Sequence, residues 1–376
     1  MRILQLLSCR GWSSDAYWAA GISVALRRAG HEVTLVCKRG TEERVGRRAQ
    51  ETGVSRIETL TFASGVKPTR DVRDLRQMLR WLATVDIVHV HRGKEHWLAA
   101  MANRLSKTPR PLVRTRHIVQ PIRPHALNRW LYREATALVV TVTDAIRSQY
   151  LAGGLLPPER IVTLPGGVDA TRFHPALGRA EARRALDVPA DTPLIGLVSG
   201  LRMMKGHQVT IDAARRMADA GRQFQILFIG RGAFESRIRE QIAKAGLARS
   251  IALVGFVPDL PSALAALDVA LYPAIESDGM SRVLYEYLAV GAPVVASRVG
   301  VVPEVLEDGK TACLVPAGEP AALAAAIDGL LSDRARARAL GSAGAALVSR
   351  RLSSERVASE LARLYAQLTA REARAA

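Results

Sequence analysis

Aromatics are scarce in this 376-residue chain, at 5%, and acids are few beside bases, with 35 Asp plus Glu against 53 Lys plus Arg. Without aromatics interleaved among its basic residues, and without a recognisable nucleic-acid motif, the chain is not read as binding nucleic acid. Its three cysteines, Cys9, Cys37 and Cys313, lie far apart with no Cys-x-x-Cys or Cys/His ligand spacing. That excludes a disulfide framework and a structural zinc site, and it fits a reducing compartment. No apolar run reaches the roughly 18 residues a membrane-spanning helix needs. Met1–Leu7, with Arg2 and Gln5 in it, is too short and too soon interrupted to be expected as a secretory signal. A Walker loop and a Ser-His-Asp signature are missing, and the loop after the first strand lacks Gly-x-Gly-x-x-Gly. The cysteine spacing and the lack of a signal or spanning segment lead to the expectation of a cytoplasmic protein.

What remains is an ordinary globular composition, 48% hydrophobic and 23% charged, with a formal net charge of +18. Such an excess calls for an anionic partner, whether nucleic acid, an acidic membrane surface or a phosphorylated ligand, unless the arginines are spread over solvated helices. The length suggests two domains.

The hydrophobic pattern alternates between short buried runs and amphipathic stretches. Ile3–Leu7 reads as a strand, followed by a helix ending at Gly30 and a strand over Glu32–Cys37. Further strands are expected at Ile57–Leu60, Ile87–His91, Leu112–Arg116 and Ala137–Thr141, with helices between them. A Pro/Gly-rich junction spans Pro157 to Pro175. A second alternating set follows, with strands at Leu194–Ser199, Gln225–Ile229, Ile251–Val254, Val269–Tyr272 and Pro293–Ala296. Repeated strand–helix units predict doubly wound parallel sheets. The reading is α/β: two Rossmann-like domains over residues 1–175 and 176–352 facing a central cleft, with a terminal helix over 353–376. Between Asn103 and Arg133 lie eight Arg/Lys and no acid, a basic patch on the first half. Near anionic lipid each such residue contributes roughly 1 kcal/mol.

Ligands of open α/β sheets bind at the carboxyl ends of strands, so the loops there carry the chemistry. Gly200–His207 follows a buried strand and opens a helix; Arg202 and Lys205 in it can both reach a diphosphate, Arg by planar multiple donation and Lys as a point charge. Gly230-Arg231-Gly232 is a second Gly loop suited to close backbone approach. Ala274–Ser297 brings two acids, Glu276 and Asp278, then Gly279, a hydroxyl cap at Ser281 and a helix. Val283, Leu284, Tyr287 and Leu288 would form its core face, with Glu286 off that face toward a ligand. His89, His91 and His117 sit at strand ends of the first half. A lone histidine is more often structural, but three at one sheet edge favour a functional role for at least one.

The ordered set formed by Ala29–Val36, Asp86–His91, Pro165–Asp169, Lys205-Gly206-His207, Gly255-Phe256-Val257 and Asp278–Ser297 resembles glycosyltransferase family 4, with the GT-B fold. Val113–His117 followed by Asn128–Tyr132 is similar to members that build lipopolysaccharide or other bacterial envelope glycans. The resemblance implies retaining transfer from a nucleotide-diphosphate sugar to a lipid-linked or lipopolysaccharide-type glycan. A nucleotide-sugar epimerase or a phosphorylase on the same fold is the alternative. No cofactor or metal is implied, and an Asp-x-Asp triplet is absent. UDP stands ahead of GDP as donor base on family frequency.

The resemblance also assigns roles. Two acids eight residues apart mark the donor site, which pairs Glu286 with Asp278; Asp278 stands where Glu is usual, and Glu276 is the other candidate for the first acid. Glu286 would hold the ribose hydroxyls. Backbone N–H groups of Gly279, Met280, Ser281, Arg282 and Val283 would hold sugar hydroxyls or phosphate, with Gly230 nearby. Where members often carry Arg, five residues before the Lys, this chain has Gly200, and Arg202 is the nearest substitute. Arg202 and Lys205 would stabilise the departing diphosphate. His117 would line the sugar from the first domain, and Gly11 would let donor or acceptor come close. Work at the inner face of the cytoplasmic membrane, through the basic first half, completes the expectation.

Overall fold

The computed structural model describes residues 1–173, 177–276, 279 and 281–375. The chain divides into two compact units: Met1–Gly167 together with the chain from Ser353 onward, and Val168–Leu352.

The first unit holds a seven-stranded sheet, β1 (Arg2–Leu7), β2 (Glu32–Lys38), β3 (Ile57–Leu60), β4 (Ile87–Val90), β5 (Leu112–Arg116), β6 (Leu138–Thr141) and β7 (Ile161–Thr163), in the order β3-β2-β1-β4-β5-β6-β7. Every pairing is parallel. The order reverses direction between β1 and β4, so the loops leaving these two strands diverge and open a crevice at the carboxyl edge. Fully buried strands such as β4 and β6 read as apolar runs broken only by His89 and Thr141, because helices cover both faces. The helix Ser14–Arg28 buries twelve consecutive residues, Asp15 through Leu26, between the sheet and the last helix, Ser354–Ala375.

The second unit repeats the plan with β8 (Leu194–Val198), β9 (Gln225–Ile229), β10 (Ile251–Gly255), β11 (Val269–Tyr272), β12 (Val294–Ser297) and β13 (Cys313–Val315), ordered β10-β9-β8-β11-β12-β13 and again wholly parallel. Its reversal lies between β8 and β11. Ile195, Leu197, Ile226, Phe228, Val269 and Leu271 point into one core with the helices His207–Asp219 and Pro320–Ser332. Asp268 accepts from the backbone N–H of Leu194 at 2.8 Å and from Arg179 and Arg183, tying the short helix Arg179–Ala185 to this sheet.

Expected strands match within a residue or two. The chain adds two that the pattern does not reveal, β7 and β13, each three residues long and at a sheet edge. Between β5 and β6, where a helix is expected, the chain forms a single turn, Ala126–Arg129, running into a wider turn over Trp130–Glu134; there Ala135 N–H reaches back to the Trp130 carbonyl at 3.1 Å.

Candidate functional site

In the second unit three loops meet at the carboxyl edge and are joined backbone to backbone. Ile275 N–H donates to Met204 C=O at 2.9 Å, linking the β11 loop to the β8 loop. Ser199 N–H donates to Ile229 C=O at 3.0 Å and Leu201 N–H to Arg231 C=O at 3.2 Å, linking the β8 loop to the β9 loop. Two glycines make this closeness possible. Gly206, at φ +76°, caps the helix His207–Asp219, and a Cβ there would lie 1.8 Å from the Pro273 carbonyl oxygen. Gly230, at φ +145°, would place a Cβ 2.0 Å from the Ser199 carbonyl oxygen.

Arg202 is exposed on this edge, Lys205 is half-buried in a single turn over Met203–Lys205, and Gly206 follows immediately. The helix Arg282–Ala289 starts at the same edge. Ser281 caps it, its hydroxyl accepting from Leu284 N–H at 3.4 Å, as the sequence suggests. The Tyr287 hydroxyl accepts from Val198 N–H at 2.6 Å, which pins this helix to the end of β8.

Glu286 differs from expectation in its surroundings. It is not on an open face but 2% exposed, among Leu284, Tyr285, Tyr287 and Leu288, while Val283 on the expected core face is only half-buried. One carboxylate oxygen meets Arg282 Nε at 3.1 Å; the other, Oε2, has no hydrogen-bond partner among the described residues. Burial pushes this carboxyl up, against the opposing charges of Arg282 and Arg172. Arg172 comes from a turn within the Pro/Gly-rich junction, where the Asp169 carboxylate accepts from the N–H groups of Thr171 and Arg172. Gly279 is buried at φ +111°, and Glu276 is exposed. Asp278 and Met280 lie outside the described residues. Arg202, Lys205, Gly230, Ser281, Arg282 and Glu286 therefore share one sheet edge.

His117 and Gly11 belong to the first unit. Gly11, in the loop after β1, has open space around it: a Cβ there would meet nothing within 4 Å. His117 follows β5 and stacks on His91 at 5.5 Å, which stacks on His89 at 4.7 Å. Parallel pairing in register (Gln5 with His89, His89 with Val113) and the two-residue pleat put Gln5, His89, His91, Thr115 and His117 on one face. Trp18 lies edge-on to all three imidazoles at 5.3 to 6.1 Å. His89 bonds the Tyr365 hydroxyl at 2.5 Å and the Thr115 hydroxyl at 2.6 Å. Burial lowers the His117 pKa to about 4, opposed by the Asp15 carboxylate and reinforced by Arg114, Arg92 and Arg116. His117 is thus a neutral imidazole at pH 7.

Sequence reasoning finds no carboxylate near these histidines; Asp15 is one. Burial alone would raise its carboxyl, but Arg92 (Nε to Oδ2, 2.5 Å), the His117 charge and the Ser13 hydroxyl bring it down to about 2. Glu95 closes the same corner: its Oε1 accepts from Arg92 N–H at 2.6 Å and Ser8 N–H at 3.3 Å, bridging the loops after β4 and β1. Asp15, Glu95, Gln5 and Tyr365 carry no local motif. The one signal present is the His89-x-His91 spacing, which with the strand pattern puts both rings on one face. Among the described residues no group of three or more His, Cys, Asp or Glu is placed to hold a metal ion, and no helix is long and apolar enough to cross a membrane.

Comparison with known proteins places this geometry in a family. The profile for group 1 glycosyl transferases matches residues 178–346, and the profile for Glycosyltransferase Family 4 matches residues 18–172. The lipopolysaccharide core biosynthesis mannosyltransferase LpsB of Rhizobium meliloti is 30% identical over 54% of this chain, and the match spans only 59% of that protein's length. A GDP-mannose-dependent alpha-(1-6)-phosphatidylinositol monomannoside mannosyltransferase of Mycobacterium tuberculosis is 31% identical over 78% of this chain and 79% of its own. Among solved structures, Anabaena HepE in complex with UDP superposes with a TM-score of 0.83 over 98% of this chain and 100% of its own, at 20% identity. The two parallel-sheet units are the GT-B fold, and the chain belongs to glycosyltransferase family 4.

Proposed function

We propose that the protein moves a sugar from a nucleotide-diphosphate sugar to a lipid-linked or lipopolysaccharide-type glycan, with retention of anomeric configuration and without a metal ion. The observation that carries this reading is Glu286: a buried carboxylate with one unpartnered oxygen, on the edge that also bears Arg202 and Lys205. A buried polar atom without a partner is costly unless a ligand completes it. Vicinal ribose hydroxyls offer the two donors that a carboxylate accepts.

In this reading Arg202 and Lys205 face the diphosphate. As the bond from the anomeric carbon to the diphosphate oxygen breaks, negative charge grows on the leaving group, and fixed cations stabilise that state more than the ground state. The capped start of the helix at Ser281, with the N–H groups of Arg282 and Val283, adds fixed positive dipole. Gly230 admits the nucleotide to the backbone, and Gly279 and Met280 border the sugar. The first acid, Asp278 or Glu276, lies beside the transferred sugar. From the first unit His117 meets a sugar hydroxyl, and Gly11 leaves room for donor or acceptor. The relatives' names support mannosyl transfer into envelope lipids or glycans and a guanine base; the UDP-bound neighbour supports a nucleotide diphosphate.

The acceptor is reached at an anionic membrane surface. Ile118, Val119 and Leu127 are exposed among Arg116, Arg123, Arg129 and Arg133, the apolar-plus-basic composition that binds such interfaces.

A thermal-shift panel of UDP-, GDP-, ADP- and dTDP-sugars tests the donor site. One donor at about 100 times its Kd should stabilise the protein by about 2.7 kcal/mol, and Glu286→Ala and Lys205→Ala should abolish the shift. No shift with any donor overturns the assignment. Asp278→Ala inactive with Glu276→Ala active fixes the eight-residue register; the reverse moves the role to Glu276.

A further inference from the structure

The three stacked histidines of the first unit include a hydrogen-bonded series with a direction. His91 Nε2 lies 2.8 Å from Gln5 Oε1, and His91 Nδ1 lies 3.2 Å from His117 Nε2. All three side chains are buried, at 0%, 2% and 6% exposure for Gln5, His91 and His117. The far nitrogen, His117 Nδ1, has no hydrogen-bond partner among the described residues.

A neutral imidazole has one N–H and one bare nitrogen. Gln5 presents its carbonyl oxygen, which only accepts, so His91 carries its proton on Nε2. His91 Nδ1 is then bare and accepts, so His117 carries its proton on Nε2. His117 Nδ1 is left with a lone pair and nothing to receive. We infer that Gln5 and His91 are positioning residues that fix the tautomer of His117, so that its Nδ1 is presented as a hydrogen-bond acceptor for a hydroxyl.

The surroundings keep the series neutral. Asp15 from the first helix faces His117 and favours its charge, while burial, Arg114 and Arg116 on β5 and Arg92 after β4 oppose it. His89, tied to Tyr365 and Thr115, packs behind His91 and is itself held neutral by burial, down to about 3. A chain running the opposite way, from a Gln5 amide N–H, would give His117 a proton on Nδ1 and make it a donor. A donor and an acceptor select different sugar hydroxyl geometries, so the direction sets specificity. That the hydroxyl belongs to a sugar rests on the function proposed above; the tautomer does not.

Two-bond proton–nitrogen correlation spectra of protein labelled with nitrogen-15 histidine read the tautomer directly, with His117 assigned by its loss in His117→Asn. The expected wild-type result at pH 7 is a single Nε2–H tautomer for His91 and His117. An Nδ1–H tautomer or an even mixture at His117 overturns the inference, with no variant needed. In Gln5→Leu the His117 signal should move to a mixture while His207 of the second unit stays unchanged. In Gln5→Glu the added carboxylate should raise the titration of His91, the ring it contacts, by at least about one pH unit. A Gln5 that only fills space would leave tautomer and titration where they are in both variants, and that result also overturns the relay. Adding the four nucleotide sugars to wild type separates the two questions: an unmoved His117 with the expected tautomer keeps the relay and removes its sugar-binding role.

Discussion

Glu286 and Gly206 show what single residues contribute. The family resemblance marks Glu286 as half of an acid pair, and the local pattern makes Ser281 legible as the cap of its helix. The burial of Glu286 was not legible: Tyr285 and Glu286 interrupt the apolar face, and only the packing of their helix against the helices Leu260–Ala265 and Arg334–Leu347 shows that they too are enclosed. Gly206 was legible as part of Lys-Gly-His, but the reason it must be Gly lies in Pro273, far along the chain. Gly206→Ala combines a left-handed backbone with a Cβ 1.8 Å from a carbonyl oxygen. It should lower stability by about 2 kcal/mol or more, seen as a reduced urea midpoint. Wild-type stability would mean that the two loops separate easily, against their backbone hydrogen bond.

At the scale of elements, most strands were readable because parallel, doubly covered strands form nearly continuous apolar runs. The two that escaped, β7 and β13, have three residues each and too little pattern to stand out from neighbouring Pro and Gly. The partners of the three histidines escaped for another reason: Gln5, Asp15 and Tyr365 come from β1, the first helix and the last, and no window of sequence contains them. The helix Ser354–Ala375 is the clearest case. Amphipathic spacing revealed it, but its hydroxyl contact with His89 depends on where it docks. Tyr365→Phe removes that contact and leaves a buried imidazole nitrogen unpartnered. The expected loss is about 1–3 kcal/mol, with hydrogen exchange accelerated in Ser354–Ala375 and in Ser14–Arg28 against it. An unchanged exchange pattern would show that apolar contacts alone hold the helix.

At the scale of the whole molecule, buried histidines set the pH response. His89, His91, His96, His117 and His207 all have pKa values depressed by burial, His117 and His207 to about 4 and His89 to about 3. Unfolded, each binds a proton near pH 6.5; folded, none does until far lower. The unfolded state therefore binds more protons between about pH 6.5 and 4, and stability falls as pH drops through that window, by up to about 1.4 kcal/mol per pH unit for each group. Glu95 and Glu286, raised by burial, act in the opposite sense above about pH 4.5 and offset part of the loss. Asp15, held at about 2, adds a further loss only at lower pH. Urea midpoints at pH 7.5, 6.5 and 5.5 should decline in that order; a level or rising series contradicts the burial of these imidazoles. The formal charge of +18 gives a second test. Binding to phosphatidylglycerol vesicles should weaken steeply between 0.05 and 0.5 M salt, on the order of the Debye length falling from above 10 Å toward 4 Å. Salt-independent binding would point to the exposed apolar residues instead, and no binding would overturn the proposed membrane surface.

The division of the chain also has a consequence for its synthesis. A ribosome releases residues in order, so Val168–Leu352 is complete and free to fold while the earlier unit still lacks its last helix. Until Ser354–Ala375 emerges, the apolar side of Ser14–Arg28 and the imidazole of His89 wait without their cover. The segment made first is therefore the last to finish folding. A stalled or truncated nascent chain would display that bare helix face to chaperones and proteases, even when everything up to Leu352 has been made without error.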